Sequence, residues 1–222
     1  MTAMTTTAAA PLTYPAILDD LFGGVIKKTI DGADREITPI QSIPRSAAEY
    51  LYNLVRQVRP ALAVEIGMAW GFSSVAICSA LRDNGAGLNV IVDPYQVNTY
   101  QGVGLATLKG FDLSPFARHE EQRSDLFLPK FWEGRKNPIQ FAFIDGDHRI
   151  DAVFMDFYYV NTLLDAGGVV VFDDYQFSSV TAVVAYALKN FHYEVLPCDQ
   201  PRFAALRKVK NDDRGWEAYG QF

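Results

Sequence analysis

The chain has 222 residues, enough for one medium domain with a substantial core. Its 49% apolar and 21% charged residues are ordinary globular composition. A net charge of −6 and an isoelectric point near 5.0 argue against general binding to nucleic acid or anionic membranes, and no apolar run approaches the ~18 residues of a membrane span.

Residues 1–11 are rich in Thr and Ala and lack the basic-then-apolar order of a secretory signal, so a flexible N-terminus is expected. Residues 12–45 are mixed, with Gly23-Gly24 and Asp31-Gly32, and are expected to form an N-terminal helical or lid segment. Ser46-Ala47-Ala48-Glu49 has the form of a capping box. Leu51, Leu54, Val55 and Val58 follow at helical spacing, and Pro60 closes the helix. The spacing then predicts a strand over 61–66, a helix from Gly71 to about Arg82, and a strand over 88–92 ending at Asp93-Pro94. Residues 95–114 read as a loop or short helix over a site. Cys78 and Cys198, the only cysteines, lack metal-type spacing, and a reducing cytoplasm is the expected compartment.

Further on, the apolar run Phe141-Ala142-Phe143-Ile144 ends in Asp145-Gly146-Asp147-His148. A second run, Gly167 to Phe172, ends in Asp173-Asp174. Short continuous apolar runs read as strands buried on both faces, and residues 151–164 between them have helical periodicity. Val180, Val183, Val184, Ala187 and Leu188 mark another helix, and 193–196 with 203–209 an antiparallel pair. There is no internal repeat and no linker. The expected architecture is a single α/β domain over 12–222: a doubly wound, mostly parallel sheet with an antiparallel C-terminal pair. Right-handed crossovers put four parallel strand ends on one edge, where ligands bind in such sheets.

Carboxylates gather on that edge. Burying like charges together is costly unless a cation or hydrogen bonds compensate, and a bound metal is the simplest compensation. In Glu65-Ile66-Gly67-Met68-Ala69-Trp70-Gly71-Phe72-Ser73, glycines 67 and 71 allow a sharp turn and close ligand approach. Asp93, ending the next strand, is placed to accept ribose hydroxyls. Ala69 and Phe72 stand where a dinucleotide fingerprint needs its second and third glycines, and Glu65 would repel a phosphate. A nucleoside cofactor with a cationic centre and no phosphate suits the turn better.

At these residues the chain resembles the class I S-adenosylmethionine-dependent methyltransferases, and within them the small metal-dependent O-methyltransferase-like group. The resemblance covers residues 46–208. It rests on the 65–73 turn, Val92-Asp93-Pro94-Tyr95-Gln96, the Asp145–His148 motif and Gly168 to Asp174. It implies that Glu65, Gly67 and Gly71 surround the amino-acid part of S-adenosylmethionine, with Ser73 at its carboxylate and Asp93 on its ribose. The adenine-edge contact falls on Ser124 or Asp125. Asp145, next to the methyl donor, joins Asp173 and Asp174 as ligands of Mg²⁺ or another hard divalent cation. His148 is the implied general base, with Asp147 the alternative base or a helix cap. The implied acceptor is a small hydroxylated molecule (a natural product, sugar or phenol), and a homodimer is the implied assembly. A non-catalytic S-adenosylmethionine-binding domain and a nicotinamide-dependent oxidoreductase are the rival readings.

Overall fold

The computed structural model describes residues 11–38, 41–133, 138–215 and 217–218. The expected flexible N-terminus therefore falls almost wholly outside the described residues. Seven strands form one sheet: β3 (Leu62–Ile66), β4 (Leu88–Val92), β5 (Ala117–Glu120), β6 (Ile139–Ile144), β7 (Leu164–Phe172), β8 (Tyr193–Val195) and β9 (Ala204–Lys208). Their order is β5-β4-β3-β6-β7-β9-β8. β3 to β7 are parallel, and β9 returns antiparallel between β7 and β8. The predicted doubly wound sheet and antiparallel closure are both present.

Side chains alternate across the central strands, and both faces are covered. Ala63, Phe141, Phe143, Val169 and Val171 face one apolar layer. Val64, Ala142, Ile144, Val170 and Phe172 face the other. The first layer holds α1 (Tyr14–Phe22), α2 (Arg45–Val58), α3 (Phe72–Asn84) and α4 (Val103–Gly110). The second holds α5 (Ser124–Glu133), α6 (Ile150–Leu163) and α7 (Ser178–Asn190). Burying both faces of the strands explains their unbroken apolar runs.

Two local expectations are corrected, and a third is extended. Ser46 does not cap α2: Pro44 holds that position, the Ser46 hydroxyl donates to Gln200 Oε1 at 2.9 Å, and Glu49 pairs with Arg45. A fifth parallel strand, β5, escaped the sequence reading because Ala117-Arg118-His119-Glu120 is polar, as an edge strand can be. The N-terminal 12–45 segment contains a helix, α1, and adds a hairpin of β1 (Ile26–Lys28) with β2 (Asp34–Glu36). That hairpin docks on the segment before α4 through Ile30 N–H to Gln101 O.

Candidate active site

A cleft of about 350 Å³ runs across the C-terminal ends of β3, β4 and β6. Gly67, Ala69, Asp93, Ser124, Asp125, Asp145, Asp147 and Arg149 line it. Ala152 and Met155 of α6 add apolar wall. Every parallel strand that ends here points its last carbonyls and side chains at one opening, as topology requires.

Asp93 organises the turn after β3. Its Oδ2 accepts the Met68 and Ala69 amides at 2.8 and 2.9 Å, and its Oδ1 accepts the Tyr95 amide at 2.7 Å. A carboxylate has about four acceptor positions, so one remains on Oδ1 for a ligand hydroxyl. The clamp holds Ala69 at φ +46°, a left-handed conformation that L residues resist. Gly67 is glycine for contact: a Cβ there would lie 1.9 Å from the Asp145 carbonyl oxygen. Gly71 is glycine because α4 packs on it, a Cβ meeting Gly104 Cα at 2.8 Å.

Other residues expected around the cofactor are arranged differently. Glu65 is fully buried on the α2–α3 face, accepting from Ser73 Oγ and Asn89 Nδ2, each at 2.6 Å. Burial pushes its carboxyl up to about 7 against those hydrogen bonds. Neither Glu65, Ser73 nor Gly71 is part of the cleft wall; they brace the turn from behind. Ser124 and Asp125 both reach the cleft, with Asp125 tied to Arg123 at 2.6 and 2.9 Å. Behind Ser124 lies Asp156, a buried acid that sequence reasoning missed and that burial pushes up to about 7. Trp70 packs edge-on against Tyr100.

The acid cluster stands at the other end of the cleft. His148 Nε2 lies 3.0 Å from Asp174 Oδ2 and 3.7 Å from Asp145 Oδ1. Those two carboxylates, Asp145 first, raise the imidazole to about 10. Burial and the neighbouring Asp173 push Asp145 well above the usual carboxylate range, while His148 holds Asp174 below it. Asp145, His148 and Asp174 offer one ligand atom each within 4.8 Å of one another. Asp173 is otherwise committed. Its Oδ1 accepts Arg202 Nε at 2.5 Å and the Asp174 amide at 2.7 Å, and its Oδ2 accepts Arg202 Nη2 at 2.6 Å. Asp147 is engaged by Arg149, accepting its backbone amide at 3.0 Å and its guanidinium, so it forms a turn ahead of α6 whose capping position is Arg149 itself.

Arg202 is the main residue the sequence reading did not find. No local motif marks it. The predicted antiparallel pair held the signal, because β9 pairs with β7 at Phe172–Ala204, and one further pair of steps sets Arg202 opposite Asp174.

Residues 64–175 match a family model described as "Methyltransferase domain", half of the chain. Solved structures share the fold at low identity. The O-methyltransferase TomG of Streptomyces achromogenes, involved in tomaymycin synthesis and solved with SAM, is 17% identical, with TM-score 0.63 over 77% of this chain and 83% of that one. An O-methyltransferase of Bacillus cereus in complex with SAH is 16% identical, with TM-score 0.63 over 77% and 84%. The SAH-bound methyltransferase PaMTH1 of Podospora anserina is 14% identical, with TM-score 0.63 over 77% and 81%. No curated protein matches the sequence at a significant level.

Proposed function

Since the chain belongs to the methyltransferase-domain family, we propose that it transfers the methyl group of S-adenosylmethionine to a hydroxyl of a small molecule. The observation that carries this reading is a juxtaposition: Asp145 lines the cleft of Gly67 and Asp93 and also stands 3.7 Å from His148. Nucleoside pocket and proton acceptor thus share one wall. The cleft suits this cofactor, with a free acceptor position on Asp93 and the Ala152 and Met155 wall for a flat ring. Ser124 is assigned to the adenine edge because Asp125 is held by Arg123.

The cofactor supplies an electrophilic methyl on a sulfonium. A neutral hydroxyl is a weak nucleophile, so the protein must take its proton as the new C–O bond forms. The neutral His148 imidazole does this through Nδ1, its Nε2–H being held by Asp174 at 3.0 Å, and Asp145 fixes the position of the pair beside the cofactor pocket. The neighbouring solved O-methyltransferases named above support oxygen as the acceptor atom. A hard divalent cation on Asp145, Asp173 and Asp174 does not suit the residues as they stand, because Asp173 has both oxygens on Arg202. No step is assigned to one.

Among the described residues no helix is long and apolar enough to cross a membrane, and two free cysteines agree with a reducing cytoplasm. A homodimer remains part of the reading, and light scattering tests it. The functional test is calorimetric: S-adenosylhomocysteine should bind and NAD should not. Binding of NAD alone overturns the assignment. A screen of hydroxylated metabolites with labelled methyl donor then identifies the acceptor.

A further inference from the structure

We propose that Arg202 takes the place of a divalent cation at Asp173, so that the acid cluster is neutralised by the chain's own side chains. The compensation is stoichiometric at two of three acids. Asp173, its side chain without solvent exposure, receives a two-point guanidinium fork, and Asp174 receives the His148 imidazole at 3.0 Å. Arg202 also leans toward Asp174 Oδ1 at 3.4 Å. A guanidinium is permanently charged and its planar fork matches a carboxylate, which makes it the side chain suited to a buried acid.

The fold builds this contact in. β9 is inserted antiparallel beside β7, and beyond the last ladder pair, Phe172–Ala204, the Tyr175 N–H donates to Arg202 O at 2.9 Å, one residue out of that register. The backbone on both sides is therefore fixed, and the guanidinium needs only its own rotamer to reach the acid. Asp173 completes its bonds with the Asp174 amide, which is presented by an Asp174 φ of +51°. A metal seeking Asp173 must break both arms of the fork and leave a half-buried Arg202 with only its 3.4 Å contact to Asp174. The remaining trio of Asp145, His148 and Asp174 already spends Asp174 on the His148 imidazole, so Mg²⁺, which gives up its waters reluctantly, has to displace that pair as well.

The statement about the cation site stands apart from the reaction. Its consequence, methyl transfer that survives chelators, rests on the methyltransferase reading. Mg²⁺ and Mn²⁺ are titrated separately into the full chain by calorimetry, with Mn²⁺ also followed by electron paramagnetic resonance. The wild type should show no saturable binding tighter than ~1 mM. Arg202→Met should gain a Mn²⁺ site at least ~tenfold tighter, and adding Asp173→Asn should remove it. Saturable wild-type binding below that limit overturns the proposal. So does an Arg202→Met variant, folded by circular dichroism, that gains no site. The wild-type titration decides alone where the variant does not fold. S-adenosylhomocysteine titrated into the same wild-type samples reports separately on the methyltransferase reading.

Discussion

Asp93 and Asp173 are both almost fully buried carboxylates at strand ends, and each is satisfied by a different kind of partner. Asp93 is held by three backbone amides from its own turn and the adjacent one. Asp173 is held by a charged side chain 29 residues further along the chain. Amide donors carry no net charge and stay in place when the carboxylate is lost, whereas a guanidinium left behind is a buried cation. The nucleoside half of the cleft is therefore built from local backbone, and the acid half from long-range charge pairing. The halves meet at Asp145, and they should fail in different ways.

The largest separation is chemical. At the alkaline plateau of the rate, near pH 10 where the imidazole is neutral, His148→Ala should lower kcat by ~10²–10⁴, the usual contribution of a positioned base, and leave S-adenosylhomocysteine affinity unchanged. The folded imidazole titrates near 10, above its ordinary 6.5, so it is protonated and idle at neutral pH. Its rate should climb as pH rises through the neutral range and level off near 10. A wild-type profile flat above pH 7, or one that His148→Ala leaves unaltered, removes His148 as the base.

Removing each carboxylate compares the halves directly. Asp173→Ala strands Arg202 and should cost ~3–5 kcal/mol of stability in urea denaturation, with cofactor affinity kept wherever the protein stays folded. Asp93→Ala should cost less stability but weaken S-adenosylhomocysteine at least ~tenfold, ~1.4 kcal/mol in binding free energy. It frees three amides that water can reach once the turn opens. Equal effects of the two substitutions on both measurements would erase the distinction.

The same contrast explains what the sequence made legible. The Gly67 turn and Asp93 sit within one strand–turn–helix and its neighbouring strand, so residue order and spacing revealed them. The acids at 145, 173 and 174 were visible as strand-end runs, and their need for a counter-charge followed from electrostatics. The identity of that counter-charge did not, because Arg202 arrives by way of α7, β8 and an antiparallel return, and only the β7–β9 register brings it across. Glu65 was misplaced for a simpler reason. Alternation along β3 sends it to the face of Ala63, behind the turn, and a one-residue difference in facing cannot be read from a run buried on both sides.

Glu65 supplies a pH test of the nucleoside half. Its folded value near 7 lies above the usual carboxyl value of 4.5, since burial opposes the charge. A raised acid gives stability that is complete below its unfolded value and disappears as pH rises through the folded one. Wild-type stability should therefore fall between about pH 4.5 and 7 on this account. Glu65→Gln removes the titration and keeps the contacts, because Asn89 Oδ1 is buried without a partner and can accept the new amide once Asn89 flips. At pH 8 the variant should be more stable by ~3 kcal/mol, and at pH 4 by almost nothing. A pH-independent difference would mean that Glu65 is charged in the fold.

Ala69 gives the smallest effect and the finest comparison. Its φ of +46° is imposed by the Asp93 clamp, and the same region is occupied in the acid half by Asp174 at +51°. Aspartate tolerates that conformation through local hydrogen bonding, whereas alanine bears ~1–2 kcal/mol of strain. Ala69→Gly relieves the strain but frees the unfolded chain, which returns ~0.4–1 kcal/mol. Thermal unfolding should show a gain of ~0.5–1 kcal/mol, with S-adenosylhomocysteine affinity unaltered because Asp93 still holds both amides. A loss of affinity would show instead that the methyl group of Ala69, on the cleft wall, packs against the cofactor. The nucleoside half would then owe its selectivity to that side chain as well as to the backbone clamp.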